Sequence, residues 1–520
     1  MLFNLFLLCL VLLGSFLCYT GSYSFQFTNL LLSGSHWDPL LYLDLTTVGI
    51  LLMLSICFGY ALFYTGHYFG GDSAGVELNK IICLFVAVMA SLVFTGDFLS
   101  TLVFWEYLGV VSFFLILFYS NYLSLRSSVV TLVSSRFGDV CLFLIIAVSA
   151  YSGYYGLLCA ILFYFVVFTK SAGFPFISWL LEAMRAPTPV SSLVHSSTLV
   201  AAGVWFSMRY DLFNYLNDCS VYLLLLLSTA CITGLCCFFF LDLKKIVALS
   251  TCNNISWCVI YLLCGDVVLS LFQLVSHGVS KCLLFMLVGD VMSGSGGSQA
   301  SNCVYAPRLY GNWGIFGLFA VILGLSGAPF IGVFFTKHFL LTNFGSSANL
   351  FLSFFLMFCV FLSYFYSFRL CSILISINTS LSSGVLYSFG SGLMVYFWLI
   401  INYFIASTLD EVNSVNTTAS LSLIMFQVLS CFTAYLFYSS NLLSRWSSSL
   451  FGCDNLVELA YSINNTFTQS VSLFFFRWDN QMISLFSGRG SNVINIFSYS
   501  TLNIIMLSTL IFLMCWFNCY

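Results

Sequence analysis

The chain has 520 residues, 61% of them hydrophobic and 6% charged, with a formal net charge of −3. Soluble domains carry about a quarter charged residues, so a soluble fold is excluded, and the lack of any basic tract excludes nucleic acid as a partner. The 21 cysteines include no C-x-x-C pair, so a metal or iron–sulfur centre held by clustered thiolates is not expected and they read as small buried hydrophobes.

Apolar runs recur along the chain at the ~20-residue length that crosses a hydrocarbon core, and we count about fifteen of them. Backbone N–H and C=O groups in lipid must be satisfied within the segment, so these runs are predicted helices. The short alternating segments of a membrane β-barrel do not occur. The expected fold is an all-α polytopic membrane protein. The first run, MLFNLFLLCLVLLGSFLCY, lacks a positive flank and an Arg- and Ser-rich amphipathic pattern, and is expected to be a retained helix. Spans follow from Leu43 to Tyr438, interrupted by HYFGGDSAGVELNK (67–80), SNYLSLRSS (120–128), LDLKK (241–245) and SGSGGSQASNCVYAPRLYGN (293–312). The last of these is glycine-rich, but no G-K-[ST] follows, so it reads as a flexible connector and not a phosphate loop. Residues 1–440 are expected to form the transmembrane domain. Residues 441–499 carry a lateral amphipathic helix, with Leu456, Leu459, Ala460, Ile463, Phe467, Val471 and Phe474 at helical spacing, suited to a membrane or partner surface. Residues 500–520 form a C-terminal anchor.

An ionisable group inside a span is a functional candidate by default. Glu106, in STLVFWEYLGVVSFFLILF, is surrounded by apolar residues and reads either as a proton site or as a pin between helices. Arg136 and Asp139 are three apart on one helical face, which suits a structural ion pair as well as a catalytic role. Lys170 ends FVVFTK and precedes SAGFP, whose Gly173 and Pro175 interrupt a helix. Broken helices at membrane depth line cavities, although a lysine at a helix end also snorkels to the surface. His195 lies a little over one turn inside the helix opened by Pro187 and Pro189, with Ser191 and Thr198 on its face. A neutral imidazole both donates and accepts a proton; a core histidine bonded to a serine is the plainer reading.

The densest constellation is SLFQLVSHGVSKCLLFMLVGD. Its Gln273, His277 and Lys281 fall at i, i+4 and i+8, one polar stripe on an apolar helix, flanked by Ser276 and Ser280. Such a stripe suits a proton-conducting chain of waters and side chains. Lys337 follows a segment broken by Gly327 and Pro329. Three lysines in three apolar segments would cost on the order of 8–10 kcal/mol on insertion scales, too much to be incidental. A lysine beside a Gly/Pro break occurs twice, around Lys170 and Lys337, the pattern of inverted-repeat transporters with two broken helices. On these residues alone the chain is a membrane transporter moving protons or small cations along a buried polar axis.

WEYLGVVSFFLI, SRFGDV, KSAGFPFISWLLEAMRAPTPVSSLVHSSTLVAAGVW, DLKKIVALST, SHGVSKCLLFMLVGD and GAPFIGVFFTK occur in this order. Together they resemble the chain 5 family of respiratory NADH:ubiquinone oxidoreductase (complex I), antiporter-like membrane subunits related to those of multisubunit Na⁺/H⁺ antiporters. The resemblance is dense from Leu43 to Lys337. It implies a proton-translocating, multi-pass subunit of the mitochondrial inner membrane, surrounded by lipid and by the complex's other membrane subunits, above all the antiporter-like chain 4. It also implies that Glu106 pairs with Lys170, that His195 bridges towards the centre, that Lys281 with His277 is the central relay, and that Lys337 is a candidate for the far one. Arg136 and Asp139 match an interface motif, and residues 453–487 would brace neighbouring subunits. A proton would move inward when Glu106 swings away from Lys170. Gln273 stands where the family usually has a second histidine, His338 where an acidic residue is common, and no lysine follows Lys337.

Neither a nucleotide-binding fingerprint nor a haem or cluster signature is present. NADH, FMN, iron–sulfur clusters and ubiquinone are therefore expected in partner subunits, with no cofactor, metal or redox chemistry in this chain. It would count as part of the H⁺-translocating NADH:ubiquinone reductase. The alternatives are a subunit of a multisubunit Na⁺/H⁺ (Mrp-type) antiporter and a structural subunit with degenerate channels. Glu106, Lys170 and Lys281 together argue against the latter.

Overall fold

The structure, a computed structural model, describes residues 22–26, 30–32, 35–37, 39–152, 157–210, 219–304, 311–329, 331–344, 350–375, 392–407, 415–438, 453–486 and 499–518. The amino-terminal apolar run and residues 305–310 of the glycine-rich connector lie outside these ranges. Ahead of the spans, β1 (Tyr23–Gln26) pairs antiparallel with β4 (Leu40–Leu43), and β2 (Leu30–Leu32) pairs with β3 (Ser35–Trp37) between them. These short strands were not expected. Their aromatic and leucine-rich sequences suit a pleated pairing, and helix begins only at the turn beyond them, where Thr47 Oγ1 accepts from Asp44 N at 2.7 Å.

Helices follow in the order α1 (Leu45–Tyr68), α2 (Ser73–Phe94), α3 (Phe98–Ile116), α4 (Tyr122–Ser152), α5 (Leu157–Ser171), α6 (Ser178–Ala183) and α7 (Thr188–Leu193). One π turn (Val194–Thr198) leads into α8 (Leu199–Tyr210), then α9 (Ser220–Phe239), α10 (Leu243–Leu263) and α11 (Val267–Ser293). The remainder are α12 (Gly311–Ser326), α13 (Val333–Phe344), α14 (Leu350–Ile375), α15 (Gly392–Ser407), α16 (Thr417–Tyr438), α17 (Cys453–Phe486) and α18 (Tyr499–Asn518). Among the described residues ten helical stretches are long and apolar enough to cross a membrane, and four shorter apolar helices accompany them. Acidic caps start several: Asp97 Oδ2 accepts from Ser100 N at 3.0 Å and Asp266 Oδ1 from Leu269 N at 2.9 Å, each satisfying a donor that the first helical turn leaves open.

The chain divides into two compact units, Met1–Ser449 and Leu450–Tyr520. In the second, α17 runs for 34 residues, about 51 Å at 1.5 Å per residue, and α18 holds the final apolar run. In the first, the stretches Thr188–Tyr210 and Val267–Ser293 are buried over 100% of their most apolar window and Leu243–Leu263 over 94%, against 22% for Thr417–Phe437. The segments that carry His195, Lys281 and the start of α10 therefore form the centre.

Parallel packing of α1 on α11 is recorded rung by rung: Gly49 meets Leu271, Met53 meets Gly278, Cys282 Sγ donates to the Cys57 carbonyl, and Tyr64 meets Gly289. The α7–π segment runs antiparallel to α11, with Thr188 beside Gly289 and Ser197 beside Gly278. Two helices are interrupted where the Gly/Pro pairs lie. After α5 the chain turns at Ala172 (φ +54°) before α6, and between α12 and α13 it turns at Gly327 (φ +92°).

Candidate functional site

Lys170 closes α5 and is fully buried. Its ammonium points between α3 and α4. Nζ lies 5.1 Å from the Trp105 ring centroid, and a Cβ added at Gly109 would be 3.8 Å from it. The carboxylate nearest to it is Asp139, with Oδ1 at 3.9 Å. The break beyond Lys170 is satisfied locally, since Trp179 Nε1 donates to the Thr169 carbonyl at 2.9 Å and Gly173 N to the Phe168 carbonyl at 3.0 Å.

Here the structure departs from the expected Glu106–Lys170 pair. Glu106 Oε2 is bonded by Arg136 Nη1, and the same nitrogen lies 3.6 Å from Asp139 Oδ2. The cause is helical phase. Trp105, Gly109 and Ser112 lie at i, i+4 and i+7 on the inward face of α3. Glu106, one residue on, is rotated by about 100° and emerges towards α4, where a guanidinium offers a fork of donors. Its side chain is 26% exposed and that of Arg136 41%, against 3% for Asp139. Arg136 thus bridges a half-exposed carboxylate and a buried one, and the buried one faces Lys170.

One narrow cavity is lined by Lys170, Ser112, Ser135, Thr169, Trp179 and His195, among others. His195 is fully buried in the π turn, its ring 6.3 Å from that of Trp179. A π turn holds one residue more per turn than an α-helix and is frequent at functional sites. Sequence periodicity gave no sign of it. Lys244, left in a polar interruption by the sequence reading, is a second surprise. It is 4% exposed in the first turn of α10 and donates to the Ala186 carbonyl at 3.3 Å, while Lys245 turns outward to Asp242 at 3.3 Å. Its phase with Val247, Ala248 and Thr251 was the available signal.

The Gln273–His277–Lys281 stripe is buried throughout. Lys281 Nζ donates to Ser250 Oγ, with the Val247 carbonyl at 3.4 Å. Neither ring nitrogen of His277 has a hydrogen-bond partner among the described residues. Gln273 Oε1 accepts from Thr336 Oγ1 at 3.0 Å, which ties α11 to α13 one residue before Lys337. A second cavity is lined by Lys281, Ser250, Asn254, Tyr366, Ser367 and Ser326, among others. Ser326 also ends α12, and its carbonyl accepts from Lys337 Nζ at 2.5 Å.

Lys337 is therefore held where the carbonyls at the end of α12 concentrate negative charge. Ser363 Oγ lies at 2.7 Å and the Tyr364 ring centroid at 3.9 Å. The adjoining Gly327 carbonyl is taken by Gln427 Nε2 at 2.5 Å. His338 points elsewhere, its Nε2 accepting from Asn416 N at 2.9 Å. Of the three lysines, only Lys170 has a carboxylate within 4 Å among the described residues.

The geometry joins Lys170 with His195 through one cavity and Lys281 with Lys337 through Ser326. Residues 95–365 match the family described as NADH:quinone oxidoreductase/Mrp antiporter, TM. The chain is 34% identical over 365 residues to NADH-ubiquinone oxidoreductase chain 5 of Caenorhabditis elegans, an alignment that covers 66% of this chain and 69% of that one. It is 32% identical over 347 residues to the chain 5 of Artemia franciscana, covering 64% and 63%. A chain in the structure of an Mrp complex from Dietzia sp. superposes with a TM-score of 0.72 at 20% identity, over 93% of this chain and 60% of that one. That last likeness is one of fold.

Proposed function

We propose that this chain, which belongs to the NADH:quinone oxidoreductase/Mrp antiporter transmembrane family, is the proton-translocating membrane subunit of a respiratory NADH:ubiquinone oxidoreductase. The observation that carries the reading is that Lys170, Lys281 and Lys337 are all buried and none is locked in a close ion pair. Lys170 faces Asp139 loosely, beyond hydrogen-bond distance, and Lys281 and Lys337 rest on neutral oxygens. Lys170 and Lys281 each line a cavity, with which an amine held in this way exchanges protons.

Arg136 is the pivot. Bonded to Glu106, it leaves the Asp139 carboxylate to support the Lys170 ammonium. Swung fully to Asp139, it would neutralise that charge, and the Lys170 proton would pass through the shared cavity to His195. Lys281 with His277 receives it at the centre, and Lys337 is the far member. NADH, FMN, iron–sulfur clusters and ubiquinone belong to partner subunits, and their redox energy reaches this chain by contact. The chain sits in the mitochondrial inner membrane beside the antiporter-like chain 4.

An Mrp-type antiporter subunit shares the fold, so the fold does not separate the two readings. The chain 5 relatives at 32–34% identity favour the respiratory one. Gently solubilised membranes separated on a native gel, stained for NADH dehydrogenase and probed by mass spectrometry, test it. The chain is expected in the active band. Its presence only in a smaller, NADH-inactive assembly would favour the antiporter.

A further inference from the structure

One buried acid plays no part in the axis described above. Asp290 lies near the end of α11, its side chain 0% exposed, with Oδ1 3.2 Å from Nε2 of His67 in the last turn of α1. The His67 side chain is 24% exposed. His67 therefore sits between a buried carboxylate and the boundary of the bundle. The exposed turn at Gly70 and Gly71 and the connector holding Gly296 and Gly297 leave the spans at this same end. The pair sits at that end of the bundle.

Hydroxyl groups lead inward from it. Tyr64, one turn before His67, and Thr188 both lie beside Gly289, the residue before Asp290. Ser192 lies one turn further along α7, its Oγ donating to the Pro189 carbonyl at 2.8 Å. Ser196 Oγ donates to the Ser192 carbonyl in the π turn that holds His195. Thr188, Ser192 and Ser196 thus form a stripe at four-residue spacing between that end and a histidine of the axis. The other titratable side chains around the pair are Tyr68 on α1, whose ring is 6.0 Å from that of Tyr64, and Tyr119, whose hydroxyl is 3.3 Å from that of Tyr68.

We propose that His67 and Asp290 form a proton-transfer site that loads or unloads this stripe from water. The proposal rests on the proton-translocating reading. In the loading direction, His67 Nδ1 takes a proton from water and the Nε2 proton passes to Asp290. Protonated Asp290 then donates inward, and the ring returns to its Nε2–H tautomer by exchange. One proton enters and one leaves, with no redox partner.

The test uses membrane vesicles carrying the whole assembled complex, driven by NADH and read with an internal pH dye. His67→Gly is expected to slow acidification about a hundred-fold, the low end for a lost acid–base group, and added imidazole is expected to restore it. Asp290→Asn is expected to slow it similarly and not to respond to imidazole. His67→Gln keeps a hydrogen-bond donor that does not exchange protons; it should slow transport if the pair conducts and leave it unchanged if the pair is only a latch. A wild-type rate in His67→Gln, no imidazole recovery in an assembled His67→Gly, or failure of both His67 variants to assemble overturns the proposal. Lys281→Met separates the two readings. If it leaves acidification intact, the buried axis fails; if it abolishes acidification while His67→Gln is unaffected, only the His67–Asp290 site fails.

Discussion

At the scale of single residues, the choice of partner for Lys170 makes the sharpest prediction. A direct Glu106–Lys170 pair would make Glu106 the critical carboxylate, whereas the geometry gives that place to Asp139, at 3.9 Å from the amine. Asp139→Asn is expected to slow NADH-driven proton transport about a hundred-fold, the range of a lost acid–base partner. Glu106→Gln removes the partner that draws Arg136 away from Asp139, so it should slow transport too, but less than Asp139→Asn, which removes the carboxylate itself. Initial acidification rates in vesicles decide between them, and the reverse order would restore the direct pair. Removing one partner of a buried charge pair costs about 3–5 kcal/mol, so Asp139→Asn is also expected to lower the amount of assembled complex on native gels. The double variant with Lys170→Met should recover that amount without recovering transport. The identities of Glu106, Arg136, Asp139 and Lys170 were legible as charges in apolar runs. Their pairing was not, because three helices set the rotation of each side chain and no single periodicity records that.

At the scale of elements, the two helix breaks were legible from Gly173–Pro175 and Gly327–Pro329, since proline and a positive φ leave backbone groups that only a local rearrangement satisfies. The π turn at Val194–Thr198 was not. It is one extra residue in a run whose composition is ordinary for a helix, placed where α7 and α8 both pack on α11. Close packing also places Lys170. A Cβ at Gly203 of α8 would fall 2.9 Å from the Val167 carbonyl and 3.1 Å from Ser171 N, both backbone atoms of α5. Gly203→Val is therefore expected to destabilise the first unit by about 1–3 kcal/mol, the usual cost of overpacking, and to move Lys170 out of its notch. A lower thermal midpoint for assembled complex, with Gly203→Ala intermediate, would bear this out. A stable Gly203→Val variant would mean that α5 and α8 separate easily.

At the scale of the whole molecule, the proposed axis puts the lysines in series. The first cavity joins Lys170 to His195, α11 carries His277 and Lys281, and the second cavity joins Lys281 to Ser326 and so to Lys337. Two cavities opening independently to water would instead make the lysines parallel routes. The two schemes differ in how losses combine. In parallel, Lys170→Met and Lys337→Met would each remove part of the flux, and the double variant would remove the sum. In series, either substitution stops the same proton, so the double variant should transport within about two-fold of the slower single one, as grossly non-additive losses do when residues act as a unit. Initial acidification rates for the two singles and the double, normalised to assembled complex on native gels, make the comparison. Near-additive losses would show that the break at Gly327 serves a separate passage. Strong non-additivity would mean that Ser326, reached by Lys337 through its carbonyl and lining the Lys281 cavity, is the point at which the two halves of the axis meet. Ser326→Ala should then change little, since the carbonyl that Lys337 uses is retained.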